Sequence, residues 1–324
     1  MDRRHFLASL AATSATVAAP WAQAQNWPEQ LIRWVVPYPA GGGTDVLART
    51  VAEAMRQTLG QQIVVDNRPG ASTNIGAQIV ATAKPDGYTI MSADNAVLAY
   101  NEHLFSKLPF SPEKDFTYVG GISRFPMALV VHPSFEAKNM KEFLAYVRAN
   151  PGKVNYASPG NGSPHHLAME MFKNRTKTFL THIPYRGAAP AMADVMGGQV
   201  PCMFLDLASG LPVIQSGKVR ALAIGTAKRV ATLPDVPTLA EVGVPDTEVY
   251  AFQGILGPAG LPAAVTQRLN ADLNKALSNP AVVKRMQDFG MEALPGTPEQ
   301  FRAMARAESK RWGAIIKAAG VKLD

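Results

Sequence analysis

Trp34-Val35-Val36-Pro37-Tyr38-Pro39-Ala40-Gly41-Gly42-Gly43-Thr44-Asp45-Val46-Leu47-Ala48-Arg49 decides how the chain folds. Leu31 to Val36 is a short apolar run rich in β-formers, the pattern of a strand buried on both faces. Two prolines and three glycines end it. Thr44 or Asp45 can then cap a helix in which Val46, Leu47, Val51 and Met55 recur at helical spacing. Strand, glycine loop and helix start make a natural anion site, because unpaired N–H groups and the positive end of the helix dipole meet there. Glycines let a ligand come close to the backbone, since no Cβ intervenes. A purely structural turn is the other reading of the same residues. The run is neither the spaced dinucleotide fingerprint nor a phosphate loop, and no lysine stands in the turn, so nucleotide binding is not expected.

The pattern repeats outward from this stretch. Gln61 to Arg68 reads as a strand, Pro69 to Asn74 as a turn and Ile75 to Ala83 as a helix. Tyr88 to Ser92 is a third strand, leading into the polar loop Ser92-Ala93-Asp94-Asn95. Such units build a parallel α/β sheet, whose ligands sit beyond the carboxyl ends of the strands. Phe116 to Gly120 is a further strand, and the tenor changes near Phe125-Pro126, before the strand Met127 to Val131. Lys153 to Ala157, the loop Ser158-Pro159-Gly160-Asn161-Gly162-Ser163-Pro164 and the helix from His165 to Lys173 repeat the opening motif in architecture. Strands at 179–183, 200–204 and 219–224 end near Tyr185-Arg186-Gly187, Asp206 and Thr226. A strand at 250–256 and helices at 263–277, 280–289 and 298–319 close the chain. The expected fold is therefore α/β with two lobes, each a mostly parallel sheet flanked by helices. Residues 25–124 with 250–324 form one lobe and 125–249 the other, with two glycine-loop lips facing across a cleft and two chain crossings as hinge.

The first residues bear on location. Met1-Asp2-Arg3-Arg4-His5-Phe6-Leu7 is a positive n-region, Leu7 to Ala19 a mild apolar run and Ala22-Gln23-Ala24 a small-residue cleavage site. Cleavage is expected after Ala24, and the Arg-Arg-x-Phe-Leu pattern fits a twin-arginine signal as well as an ordinary secretory one. No other stretch reaches the ~20 apolar residues of a membrane span, so the mature chain is expected to be soluble in the periplasm, with no membrane anchor. With 47% hydrophobic residues the chain has ample material for a core. Removing the signal takes away two arginines and one aspartate, so the formal net charge goes from +7 to +6. That charge is diffuse, which argues against nucleic acid and is compatible with attraction of small anions. The lone Cys202 lies in an apolar run, is expected to be a buried hydrophobe, and excludes an internal disulfide.

Further residues are specific enough to name a family. Val36 to Asp45, Asn67-Arg68-Pro69-Gly70-Ala71 through Asn74-Ile75-Gly76, Pro85-Asp86-Gly87-Tyr88-Thr89, Gly160-Asn161-Gly162-Ser163, His166-Leu167, Pro184-Tyr185-Arg186-Gly187, Gly197-Gly198-Gln199-Val200, Leu233 to Thr238 and Gly257-Pro258-Ala259-Gly260 occur in order. Across essentially all of the mature chain this resembles the Bug-type solute-binding proteins, the extracytoplasmic receptors of tripartite tricarboxylate transporters. The resemblance implies a two-lobe periplasmic binding protein of type II, the Venus-flytrap arrangement. It implies no catalysis, cofactor or metal. The implied partners are a small carboxylate ligand and a membrane permease of two unequal subunits, and the receptor acts as a monomer. In such proteins one ligand carboxylate is held beside the Tyr-Pro-x-Gly-Gly loop, largely by backbone and ordered waters. The second lobe closes with its Gly-x-Gly-Ser loop, its Tyr-Arg-Gly turn and a residue near Asp206.

The ligand-contacting residues expected on these grounds are Tyr38, Pro39, Ala40, Gly42, Gly43, Thr44, Asn74, Ser92 and Asn95 in the first lobe. In the second they are Ser158, Asn161, Gly162, Ser163, His166, Tyr185, Arg186 and Asp206. Asp45 would repel an anion and is read as a helix cap. Asp206 would suit a ligand amine or an ordered water. Leu98 and Leu205 stand where related chains carry more polar residues, so the expected ligand is a monocarboxylate with an apolar or aromatic body in preference to citrate. Ser163, His166 and Asp206 do not make a hydrolase triad, because no Gly-x-Ser-x-Gly elbow is present. His165 and His166, being adjacent on a helix, point apart and do not suit a metal. A receptor that signals through a membrane sensor partner is the alternative to transport.

Overall fold

The computed structural model describes residues 27–288 and 290–324, so the expected signal peptide and its cleavage site lie outside the described residues. Strand β1, Ile32–Val36, lies between β2, Ile63–Asn67, and β3, Thr89–Asp94, and is parallel to both. Helix α1, Gly43–Leu59, follows the glycine loop and buries Leu47, Val51, Met55 and Leu59 on one face. It stops at Gly60, whose φ of +74° only glycine adopts without strain. Helix α2, Asn74–Ala81, follows β2. β3 continues through Ser92 to Asp94, where the sequence suggested a polar loop, and a π-helical turn at 96–100 and α3, Asn101–Leu104, follow.

Strand β4, Phe116–Val131, is one continuous strand of 16 residues. The sequence suggested two strands separated at Pro126. The strand stays unbroken because its register with β9, Tyr250–Pro258, runs to the pair Pro126 and Tyr250 and ends there. Beyond it, Met127 to Val131 pair with β7, Cys202–Asp206, on one side and β8, Arg220–Ile224, on the other. Proline has no N–H to donate and is tolerated where a strand changes neighbours. One sheet thus runs β2-β1-β3-β9-β4, with the two-residue β10, Glu292–Ala293, on β4. The other adds β7, then β5, Asn155–Ser158, and β6, Thr181–Pro184, mutually parallel. This is a mixed sheet flanked by helices, in which β9 and β4 run against their neighbours.

Helices cover both faces: α4, Met140–Ala149; α5, Pro164–Thr176; α6, Ala188–Met196; α7, Leu207–Gln215; α8, Ala263–Leu277; α9, Pro280–Asp288; and α10, Pro298–Ala319. The alternation of a strand buried on both sides is visible in β4 and β7. Leu129, Val131, Cys202 and Phe204 join the large core, whereas Ala128, Val130, Met203 and Leu205 join a smaller one under α6 and α7. Cys202 is a buried free thiol. Among the described residues no helix is long and apolar enough to cross a membrane.

Trp34 is fully buried, and its indole N–H donates to Ser92 Oγ at 2.9 Å. Ser92→Ala leaves that donor without a partner, and a loss of about 2 kcal/mol is expected in urea unfolding. A change under ~0.5 kcal/mol would show that the bond contributes no more than an ordinary surface contact.

Candidate ligand-binding site

The carboxyl ends of β1 and β3 meet those of β5, β6 and β7 around one cavity of about 420 Å³. From β1 come Tyr38 through Thr44, and from the end of β3 comes Asp94. Opposite stand Pro159 and Ser163 to His165 after β5, Arg186 to Pro190 after β6, and Asp206 at the end of β7. Phe125, Ala251 and Phe252, from the middle of β4 and the start of β9, complete the wall. A second chamber of about 460 Å³ adjoins it, shares Tyr38, Pro39, Pro159, Ser163, Arg186 and Gly187, and adds Ser72, Thr73, Asn161 and Gly162.

Two helix N-termini open on the cleft without a side-chain cap. Gly42 precedes α1 and Gly187 precedes α6, and neither position offers an oxygen to the first-turn N–H groups. Asp45 does not cap α1. Its carboxylate accepts from Gly41 N at 2.9 Å, Asn67 Nδ2 at 2.9 Å and the Arg49 guanidinium, which folds the glycine loop back on the helix. Burial pushes its carboxyl up, and those bonds outweigh burial to hold it below the ordinary aspartate value. The two other helices that start at this cavity are capped: Ser163 Oγ accepts from His166 N at α5, and Asp206 Oδ1 accepts from Ser209 N at α7.

The cleft's own acids differ in state. Asp94 accepts from the Tyr38 hydroxyl at 2.5 Å and from Ala96 N, yet burial dominates and raises its carboxyl above the ordinary value. Asp206 is also pushed up by burial, but His165 Nε2 at 3.0 Å and Ser209 outweigh that and leave it lowered. Asp206 is therefore the more firmly ionised of the two.

Of the residues expected at the site, Tyr38, Pro39, Ala40, Gly42, Gly43, Thr44, Ser163, Arg186 and Asp206 line the main cavity, and Asn161 and Gly162 line the adjoining chamber. Six others line neither. Ser92 is committed to Trp34. Asn74 Oδ1 accepts from Asn101, which also holds the Ser72 carbonyl across a turn whose Ala71, Ser72 and Thr73 all have positive φ. Asn95 donates to the Tyr250 carbonyl and accepts from Phe252 N, so it positions the cavity wall from behind. Ser158 bonds His182 at 2.6 Å, and the Tyr185 hydroxyl donates to Asp194 at 2.6 Å. His166 accepts from Gly162 N through Nδ1 and stacks on His182 with centroids 4.0 Å apart. Burial lowers its imidazole to about 4, so it is neutral.

Sequence reasoning missed His165, Asp94, Phe125, Phe252 and the start of α6. The signal for His165 was the one-residue step around α5, a rotation of roughly 100° that turns one histidine into the lobe and its neighbour out. Phe125 and Phe252 carry no local signal, since only the pairing of β4 with β9 brings them together. Leu98 and Leu205 are both buried in the core and line neither chamber, which corrects the expected source of apolar character. That character comes from Phe125, Phe252 and the prolines.

Two α/β lobes joined by paired crossing strands, with strand-end loops of both lobes around one cleft, define a solute receptor of the periplasmic binding protein class. The chain belongs to the family described as tripartite tricarboxylate transporter family receptor, whose match spans residues 47–321. It is 35% identical over 311 residues to the protein BugT of Bordetella pertussis, covering 96% of this chain and 95% of that one. A Rhodopseudomonas palustris protein solved with adipate has a TM-score of 0.88 and 34% identity, over 92% of this chain and 99% of that one. MatC of Rhodopseudomonas palustris, solved with bound malate, has a TM-score of 0.83 and 33% identity, over 90% and 100%.

Proposed function

We propose that the chain is a periplasmic receptor that captures a small carboxylate between its lobes and delivers it to a membrane permease of two unequal subunits. The observation that carries this reading is the convergence of two uncapped helix N-termini, α1 from one lobe and α6 from the other, on a single cavity. Their free N–H groups and dipole ends suit an acid group and do not require a fixed cation. The adipate and malate of the two solved relatives support the ligand class. Phe125, Phe252 and Pro190 favour an acid with an apolar body over citrate. The family match favours transport over a sensor role.

Residues 25–124 with 250–324, and residues 125–249, are proposed as the lobes that close about β4 and β9. The change of β4 from β9 to β7 and β8 beyond Pro126 supports a hinge there. Closure needs only a ligand that binds the closed form better. The receptor is proposed to bind as a monomer, by non-covalent capture and without catalysis.

A thermal-shift screen of residues 25–324 against a panel of carboxylic acids tests the reading. An acid at a hundred times its dissociation constant stabilises by about 2.7 kcal/mol, and a raised melting temperature is expected for acids with an apolar body. The largest shift with citrate would sink the ligand preference, and silence across the panel would sink carboxylate capture.

A further inference from the structure

His165 has no role in carboxylate capture as proposed, yet it lines the same cavity. Its side chain lines the cavity at the first turn of α5 and is more than nine-tenths buried. Nε2 lies 3.0 Å from Asp206 Oδ2, while Nδ1 is buried without a hydrogen-bond partner. Because the Asp206 carboxylate can only accept, Nε2 carries the hydrogen, and in the neutral ring Nδ1 is then a bare lone pair. A lone pair beside an ionised aspartate repels an incoming carboxylate.

The surrounding charges do not remove that repulsion. Asp206 is ionised, and Asp94 with Tyr38 faces from the other lobe. On α5 itself, His166 is turned inward to Glu170 and the His182 stack. The cation of the cleft is Arg186, which is exposed at its rim, where solvent weakens its pull. We propose that His165 takes up a proton as the ligand's acid group binds, so that its imidazolium, held by Asp206, accepts the carboxylate.

Protonation turns Nδ1 into a donor, satisfies the orphan nitrogen through a ligand oxygen and cancels the charge of Asp206. The sign follows from linkage: a ligand that binds with a proton binds more tightly as pH falls, until the empty protein is protonated as well. The proposal rests on carboxylate capture in this cleft.

Titration calorimetry of the unaltered chain with adipate, in two buffers of different ionisation enthalpy at pH 7.5, counts the protons. Uptake of a large fraction of one proton per adipate is expected, with affinity rising about tenfold from pH 8 to pH 6. His165→Gln keeps a donor toward Asp206 and should lose both effects, and it also corrects for titration of adipate itself. Buffer-independent heats, or an unchanged pH profile in His165→Gln, would overturn the proposal and leave carboxylate capture standing. Absence of binding at every pH by adipate and by every other acid of the thermal-shift panel would overturn both.

Discussion

Gly43→Leu is expected to weaken carboxylate binding at least about thirtyfold while leaving the empty protein folded. Gly43 begins α1 with ordinary negative φ, so a larger residue is not strained, and leucine is the better helix former. A Cβ built there stands 3.8 Å from Ala208 Cβ, which belongs to α7 on the opposite side of the cleft. The rest of a leucine side chain must therefore push Ala208 away or occupy the cavity. Either event separates the first-turn N–H groups of α1 from those of α6. Losing one hydrogen bond to a charged group costs about 2 kcal/mol, which corresponds to roughly thirtyfold in affinity. Calorimetry of the variant with the acid found by thermal shift gives the affinity, and its melting temperature without ligand reports the fold. Unchanged affinity would mean that this helix end does not meet the ligand. A melting temperature several degrees lower would mean that the glycine is there for packing alone.

The largest effect on stability is expected from Gly254→Ala. Gly254 sits in the middle of β9, between Ala93 of β3 and Gly121 of β4. A Cβ there would collide with the Phe301 ring and stand 2.5 Å from the Gly120 carbonyl oxygen. Phe301 is buried and packs edge-on against Tyr118 with centroids 5.6 Å apart, so it has little room to turn. The carbonyl can retreat only if β4 moves with it. Overpacking of this kind costs about 3 kcal/mol. In a chain of about 300 residues that is roughly 5 °C in melting temperature. Adding Phe301→Leu should restore part of the loss and leave the part due to the backbone contact. A melting temperature within a degree of the unaltered chain would show that the crossing strands are not tightly coupled. The same strands connect the proposed lobes, so the variant also reports whether a loosened crossing changes ligand affinity.

The candidate site divides along a physical line. Backbone features were legible: Gly42, Gly43 and Thr44 lie where a strand, a glycine run and a helix start must put them, and Ser163 caps α5 as a serine before proline does. Side-chain direction was less so. Asn74, Ser92, Asn95, Ser158, His166 and Tyr185 are polar residues at strand ends, which is what a ligand contact looks like in one dimension. Each instead spends its polar atoms on another part of the chain, from Asp194 to the backbone of Tyr250. Helices α6 and α7 were also missed. Ala188-Ala189-Pro190 has little apolar periodicity, and Gly210 and Pro212 interrupt α7, where Leu205 lies against Gly210.

By itself, the order of strands, glycine loops and amphipathic helices determined an α/β chain of two lobes, a glycine loop at Gly41 to Thr44 between strand and helix, and the family. Those follow from local sterics, from the period of apolar residues and from motifs contiguous in the chain. Only the tertiary structure decided that β4 runs unbroken through both sheets and that Phe125 and Phe252 form the cavity wall. It also decided that His165, and not His166, lines the cavity. These depend on register between segments more than a hundred residues apart and on a single step of helical rotation, which no local pattern encodes.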